Sequence, residues 1–212
     1  MKKNFMYMLG IVVLTTALFS QSVFASNFSD VRNHKNAVAI DYLYENGVIN
    51  GYSDGTFRPD QEVNRAEILK ILIEGMGDDA SSYADDNCFK DLEEGAWYVQ
   101  YVCFAKSEGW VQGYGDSTFK PSQTVNKMEA LKMLIMSQSL LSTSIIDEDL
   151  YDDVDNNAWY YNYVYTAVKL GLVDPSAKIG VIDNMSRGGI SEMTYRAMRV
   201  NDEGLDTFFD AE

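Results

Sequence analysis

Ala37, Ile40, Leu43 and Tyr44 recur at helical spacing. Gly47 stands where a left-handed residue would end such a helix, with Val48 turning back onto its last turn. Beyond it, Asp54-Gly55 marks a tight turn and Arg58-Pro59 an extended passage. Asn64 is then placed as the cap of a second helix, and Glu67 three residues on completes a capping box. Ile68, Leu69, Ile71, Leu72 and Ile73 make that helix apolar on more than one side. A single short hairpin cannot cover it, so neighbouring units must.

The pattern returns further along. Trp97, Val102 and Ala105 line a helix ended by Gly109, and Met128, Leu131, Met133, Leu134 and Ile135 carry its successor. Tyr52 and Tyr114, Phe57 and Phe119, Pro59 and Pro121, Glu67 and Glu129, Lys70 and Lys132 are each 62 residues apart, a register that identifies an internal repeat. A third copy opens at Tyr151 and runs through Trp159, Val164 and Ala167 to Gly171, which keeps the same distance from Gly109. After Val173 this copy degenerates. Its Tyr-x-Asp-Gly-Thr-Phe loop is missing, Ser186 retains the cap, and Gly189 stands where a glutamate would reach back to it. Gly188 and Gly189 each cost up to about 1 kcal/mol against alanine in a helix. The units so defined are 26–80, 88–137 and 151–200, followed by an acidic tail, 201–212, expected to be mobile unless Phe208 and Phe209 dock.

Phe28-Ser29-Asp30-Val31, Gly47-Val48, Gly51 to Pro59 and Asn64-Arg65-Ala66-Glu67 together resemble the signature of the S-layer homology (SLH) domain, which usually occurs as three tandem copies. The resemblance covers essentially all of the chain beyond residue 25 and is strongest in the first two copies. It implies a mainly α fold, with three helix-loop-helix SLH repeats in a pseudo-threefold arrangement around a central helical bundle. It also implies non-covalent attachment of exported proteins to the bacterial cell wall. The ligand so implied is a cell-wall polysaccharide bearing pyruvate ketals, or another wall glycan, held in grooves between adjacent repeats with the motif arginine prominent. The alternative partners are other S-layer or envelope proteins, and no cofactor is implied.

Elementary electrostatics points to the same region. A helix start presents unpaired N–H groups and about half a positive charge. Arg65, at the first helical position, adds a planar fork suited to a carboxylate. Lys127 replaces that arginine in the second unit and brings charge without a fork, while Arg187 is retained in the third unit beside a missing loop. The expectation is therefore that the Arg65 groove dominates. Tyr52, Asp54, Trp97 and Trp159 complete the candidate ligand-binding set, the aromatic rings as faces for a sugar. For the two tryptophans, packing at a helix start is an equal reading, and for Tyr52 anchoring of its own loop is the preferred one.

Charge and cysteines narrow the picture. Residues 1–25 read as a secretory signal, with Lys2 and Lys3, an apolar run from Phe5 to Phe19, and Val23-Phe24-Ala25 at the cleavage position. Its removal takes two lysines and no acid, so the net charge of −15 becomes −17. Such a chain is expected to be exported, to avoid nucleic acid and to have no membrane partner after signal cleavage. Cys88 and Cys103 in an exported chain read as a disulfide. A glycosidase reading rests only on carboxylate pairs such as Asp152-Asp153, unavoidable among 32 acidic residues, and the single His34 gives no triad. A calcium module is the other rival, but no stretch matches a twelve-residue EF-hand loop. No catalytic or metal-ligating residue is assigned.

Overall fold

The computed structural model describes residues 26–142, 151–174 and 176–211. The expected signal segment, most of the second inter-unit connection (143–150), Pro175 and Glu212 lie outside them. Among the described residues there are six α-helices: α1 (Ala37–Glu45), α2 (Arg65–Met76), α3 (Val99–Ser107), α4 (Lys127–Ser137), α5 (Tyr161–Lys169) and α6 (Arg187–Glu203). The fold is mainly α, as expected.

The second helices, α2, α4 and α6, touch one another and form the hub. Each first helix packs on the second helix of the unit before it: α3 on α2, α5 on α4, and α1 back on α6. The ring thus closes on itself. This arrangement answers the question posed by the all-round apolar second helices, since Leu69, Leu72, Leu131 and Leu134 are fully buried among neighbours supplied by other units.

At the top of the hub the three strand-like segments before α2, α4 and α6 form a closed triangle of backbone hydrogen bonds. Val63 N–H donates to the Met185 carbonyl (2.9 Å), Met185 to Val125 (2.8 Å) and Val125 to Val63 (3.2 Å). Asn64 and Asn126 cap α2 and α4 in full capping boxes with Glu67 and Glu129. Ser186 caps α6 by accepting from Gly189 N–H, without a reciprocal carboxylate. Gly47, Gly109 and Gly171 all adopt φ between +70° and +76°, the left-handed stops expected of them.

Each loop is pinned by the aspartate of its own unit's start, Asp30, Asp91 or Asp153, which stands two residues after an aromatic. Asp30 accepts from the N–H groups of Phe57 and Arg58, Asp91 from Phe119 and Lys120, and Asp153 from Ile179, Gly180 and Val181. Arg58 and Lys120 sit at φ of 60° and 59°, an uncommon conformation that these charge-assisted bonds hold. Gly51 and Gly113 let the loop lie on the Phe28 and Phe89 rings; a Cβ at either glycine would come within 2.2 Å of the ring. Cys88 and Cys103 are bonded, which ties the entry of the second unit to α3. Closing a loop of that length stabilises a fold by about 3 kcal/mol in the chain-entropy treatment.

Of the two alternatives for the tail, Phe208 takes the docked one while Phe209 stays half exposed. Helix α6 runs on to Glu203, and Phe208 is buried, edge-on to Tyr195 and under the Arg196 guanidinium. Phe208 N–H donates to the Leu170 carbonyl, so apolar burial and a backbone bond dock the end of the chain onto the third unit.

Candidate functional site

The residue that opens each second helix does not face its own unit's loop. Arg187 of the third unit donates from Nε to the Phe57 carbonyl (2.9 Å) and from Nη2 to the Asn50 carbonyl (3.3 Å) of the first. Its guanidinium lies over the rings of Phe57 and Tyr52. Arg65 of the first unit does the same to the second: Nε donates to the Phe119 carbonyl (2.9 Å), and the guanidinium lies over Phe119 and Tyr114. Lys127 of the second unit donates to the Ile179 carbonyl of the third (3.0 Å) and pairs with Asp183 (3.2 Å). The motif cation is therefore a clasp between successive units.

Around each clasp is a cleft. The first, of about 220 Å³, is lined by Arg187, Tyr52, Lys70, Glu67 and Trp97. The second, of about 240 Å³, is lined by Arg65, Tyr114, Lys132, Glu129 and Trp159. These are the same residue types, displaced by one unit. Lys70 stands over the Trp97 ring (5.7 Å) and Lys132 over Trp159 (5.9 Å), with no ion pair to either lysine among the described residues. Trp97 and Trp159 are 49% and 57% exposed, which decides against the core reading of both. Each cleft thus offers an ammonium without an ion pair among the described residues, one edge of a guanidinium and an exposed tryptophan face, while its tyrosine ring is covered by Arg58 or Lys120 and by the clasp. That set suits a carboxylate borne on a ring with apolar faces.

The third cleft, about 440 Å³, surrounds Lys127 and has no aromatic lining. Lys35 stands at the position of Trp97 and Trp159, and Glu192 at that of Lys70 and Lys132. Arg196 there is already engaged, by Asp174 at 2.7 Å and Glu192 at 2.8 Å.

Three features change the sequence-based expectations. The N–H groups at the helix starts are not free: Arg65 and Ala66 donate to the Gln123 and Pro121 carbonyls, Arg187 and Gly188 to Gln61 and Pro59, and Lys127 to Asp183. Anion attraction must come from side chains instead. Arg65 is only 6% exposed, and its Nη1 sits 3.9 Å from Glu129, so it is no open fork and has no claim to dominate. Asp54 lies outside the clefts. Its carboxylate accepts from Thr56 and Arg58 within the turn, the Thr56 hydroxyl foremost, and these bonds hold its pKa at about 2. Lys70, Lys132 and Tyr114 join the site only in the structure, although Lys70 and Lys132, like Tyr52 and Tyr114, repeat in register.

Comparison with known proteins bears on the same residues. A profile of the S-layer homology domain matches residues 27–69, 89–131 and 150–178, which takes in the first two loops, the starts of α2 and α4, and α5 of the third unit. The chain belongs to the S-layer homology domain family. Among its relatives is a cellulosome-anchoring protein of Acetivibrio thermocellus, 29% identical over 66% of this chain and 32% of that protein. A cell surface protein of Thermoanaerobacter kivui is 28% identical over 93% of this chain and 25% of that protein. An amylopullulanase of Thermoanaerobacterium thermosulfurigenes is 22% identical over 88% of this chain and 10% of the enzyme. The chain spans a third or less of each of these proteins. Membership of the SLH family places it outside the cell, at the cell surface. No helix among the described residues is long and apolar enough to cross a membrane, and no group of three or more His, Cys, Asp or Glu side chains there is arranged to hold a metal ion.

Proposed function

We propose that this SLH chain attaches the protein bearing it to the bacterial cell wall by binding an anionic wall polysaccharide, one carrying pyruvate ketals, in the Arg187 and Arg65 clefts. The observation that carries this reading is the recurrence of one Arg-Lys-Tyr-Trp set in two clefts built by different units. The ketal carboxylate meets the lysine ammonium and the guanidinium edge, and the sugar ring lies on tryptophan. The chain as a whole is acidic, with a net charge of −15, and repels a polyanion at long range. The local cations prevail because the Debye length is only about 8 Å at physiological salt. The chain's role is attachment and not catalysis; the amylopullulanase, for one, is about ten times longer than the region it shares.

The test is sedimentation with purified walls before and after the anionic polymer is stripped. Binding that disappears on stripping supports the reading. Binding that persists contradicts it and favours contact with an envelope protein.

A further inference from the structure

The third cleft differs from the other two at two places on its rim, and those differences have a consequence for valency. Where the first and second clefts present Lys70 and Lys132 without an ion-pair partner, the third presents Glu192. Glu192 accepts from Arg196 Nε (2.8 Å) and from Asn36 Nδ2 (3.2 Å), and its side chain is 20% exposed. Arg196 also donates to Asp174 and to the Gly171 carbonyl, and Lys127 is paired with Asp183. The inner cations of this cleft are thus matched by the protein's own carboxylates. An incoming carboxylate would have to displace Glu192 or Asp174 from Arg196, leaving a partly buried charge without its partner, which costs far more than a surface pair returns. Lys35 and Lys178 have no ion pair among the described residues but are exposed at the rim, where salt screens them. No ring is present to receive a sugar.

We infer that Glu192 closes the third cleft to the anionic ligand taken by the other two, and so limits the chain to two working clefts. The inference rests on the anchoring function proposed above. Glu192 acts as a specificity-determining residue because it occupies, with the opposite charge, the position from which a lysine greets the ligand elsewhere. Lys35, in place of tryptophan, removes the stacking face of the same cleft.

Calorimetric titration with the methyl glycoside of a hexose carrying a pyruvate ketal tests this. The wild-type chain is expected to take about two equivalents, one for each matched cleft. The variant Lys35→Trp/Glu192→Lys/Arg196→Met gives the third cleft the tryptophan, lysine and methionine found at Trp159, Lys132 and Met136. It is expected to take about three. Three equivalents on the wild type, or two on a variant that melts like the wild type, would overturn the role of Glu192. If that variant fails to fold, Glu192→Gln removes the charge and keeps one acceptor for Arg196 Nε, at the cost of the bond accepted from Asn36 Nδ2. Ligand-dependent amide shifts at Met193 are then expected in Glu192→Gln and absent in the wild type, and their absence from both would count against the inference. A wild type that takes none of the glycoside instead contradicts the anchoring reading itself.

Discussion

The hub of this protein is threefold and its rim is twofold. At the hub, all three units use the same devices: an aspartate that grips the loop backbone, a cation that clasps the next unit's carbonyl, and one bond of the backbone triangle. At the rim, two clefts repeat Lys, Tyr and Trp, and the third has none of those side chains at the matching positions. Residues kept in all three places are those the ring needs in order to close. Residues kept in two serve something the third cleft does not do. The degenerate loop of the third unit therefore costs no architecture, since Ile179 still supplies the carbonyl and Asp153 still finds three N–H groups.

The comparison is sharpened most by breaking the hub. Phe119 is fully buried and its carbonyl receives Arg65. Phe119→Ala is expected to lose about 3–5 kcal/mol in urea unfolding, with Phe57→Ala close to it. A loss confined to wall binding, with stability intact, would place these rings at the rim. Rim substitutions should behave oppositely. Trp97→Ala and Trp159→Ala are each expected to weaken wall binding about tenfold while costing under about 1 kcal/mol of stability. Lys127→Ala should change binding less than about threefold, because its cleft is silent. The smallest effect lies in the turn. Asp54 titrates near 2 because Thr56 and Arg58 stabilise its charged form. Its folded pKa is below the usual 3.8, so its contribution is complete above that value and is lost as pH falls through about 2. Thr56→Ala should raise the Asp54 pKa toward 3.8 in a carboxylate NMR titration without moving wall affinity.

Much of the hub was legible in the chain itself. Capping boxes, glycine stops and the Cys88–Cys103 bond are local events whose residues lie within a few turns of each other, and period and cap chemistry are enough to find them. The rim was less so. A repeat distance of 62 says that Arg65, Tyr52 and Trp97 each have counterparts, but not which copy meets which. The sequence pairs Arg65 with the loop beside it, whereas ring closure hands it to Tyr114 and Trp159 and hands Tyr52 and Trp97 to Arg187. Consumption of the helix-start N–H groups was hidden for the same reason, since their acceptors belong to another unit. Gly188 is a further case. Read as a helical cost, it sits where a Cβ would press within 3.1 Å of Asn36, His34 and the Pro59 carbonyl, so a side chain there would make these neighbours shift by a few tenths of an ångström.

A double-mutant cycle on wall binding tests the cross-unit clefts most directly. Arg187→Ala and Trp97→Ala share a cleft and should be non-additive by about 0.5 kcal/mol or more, whereas Arg187→Ala and Trp159→Ala should add within about 0.5 kcal/mol. Coupling of Arg187 to Trp159 instead of Trp97 would contradict the account.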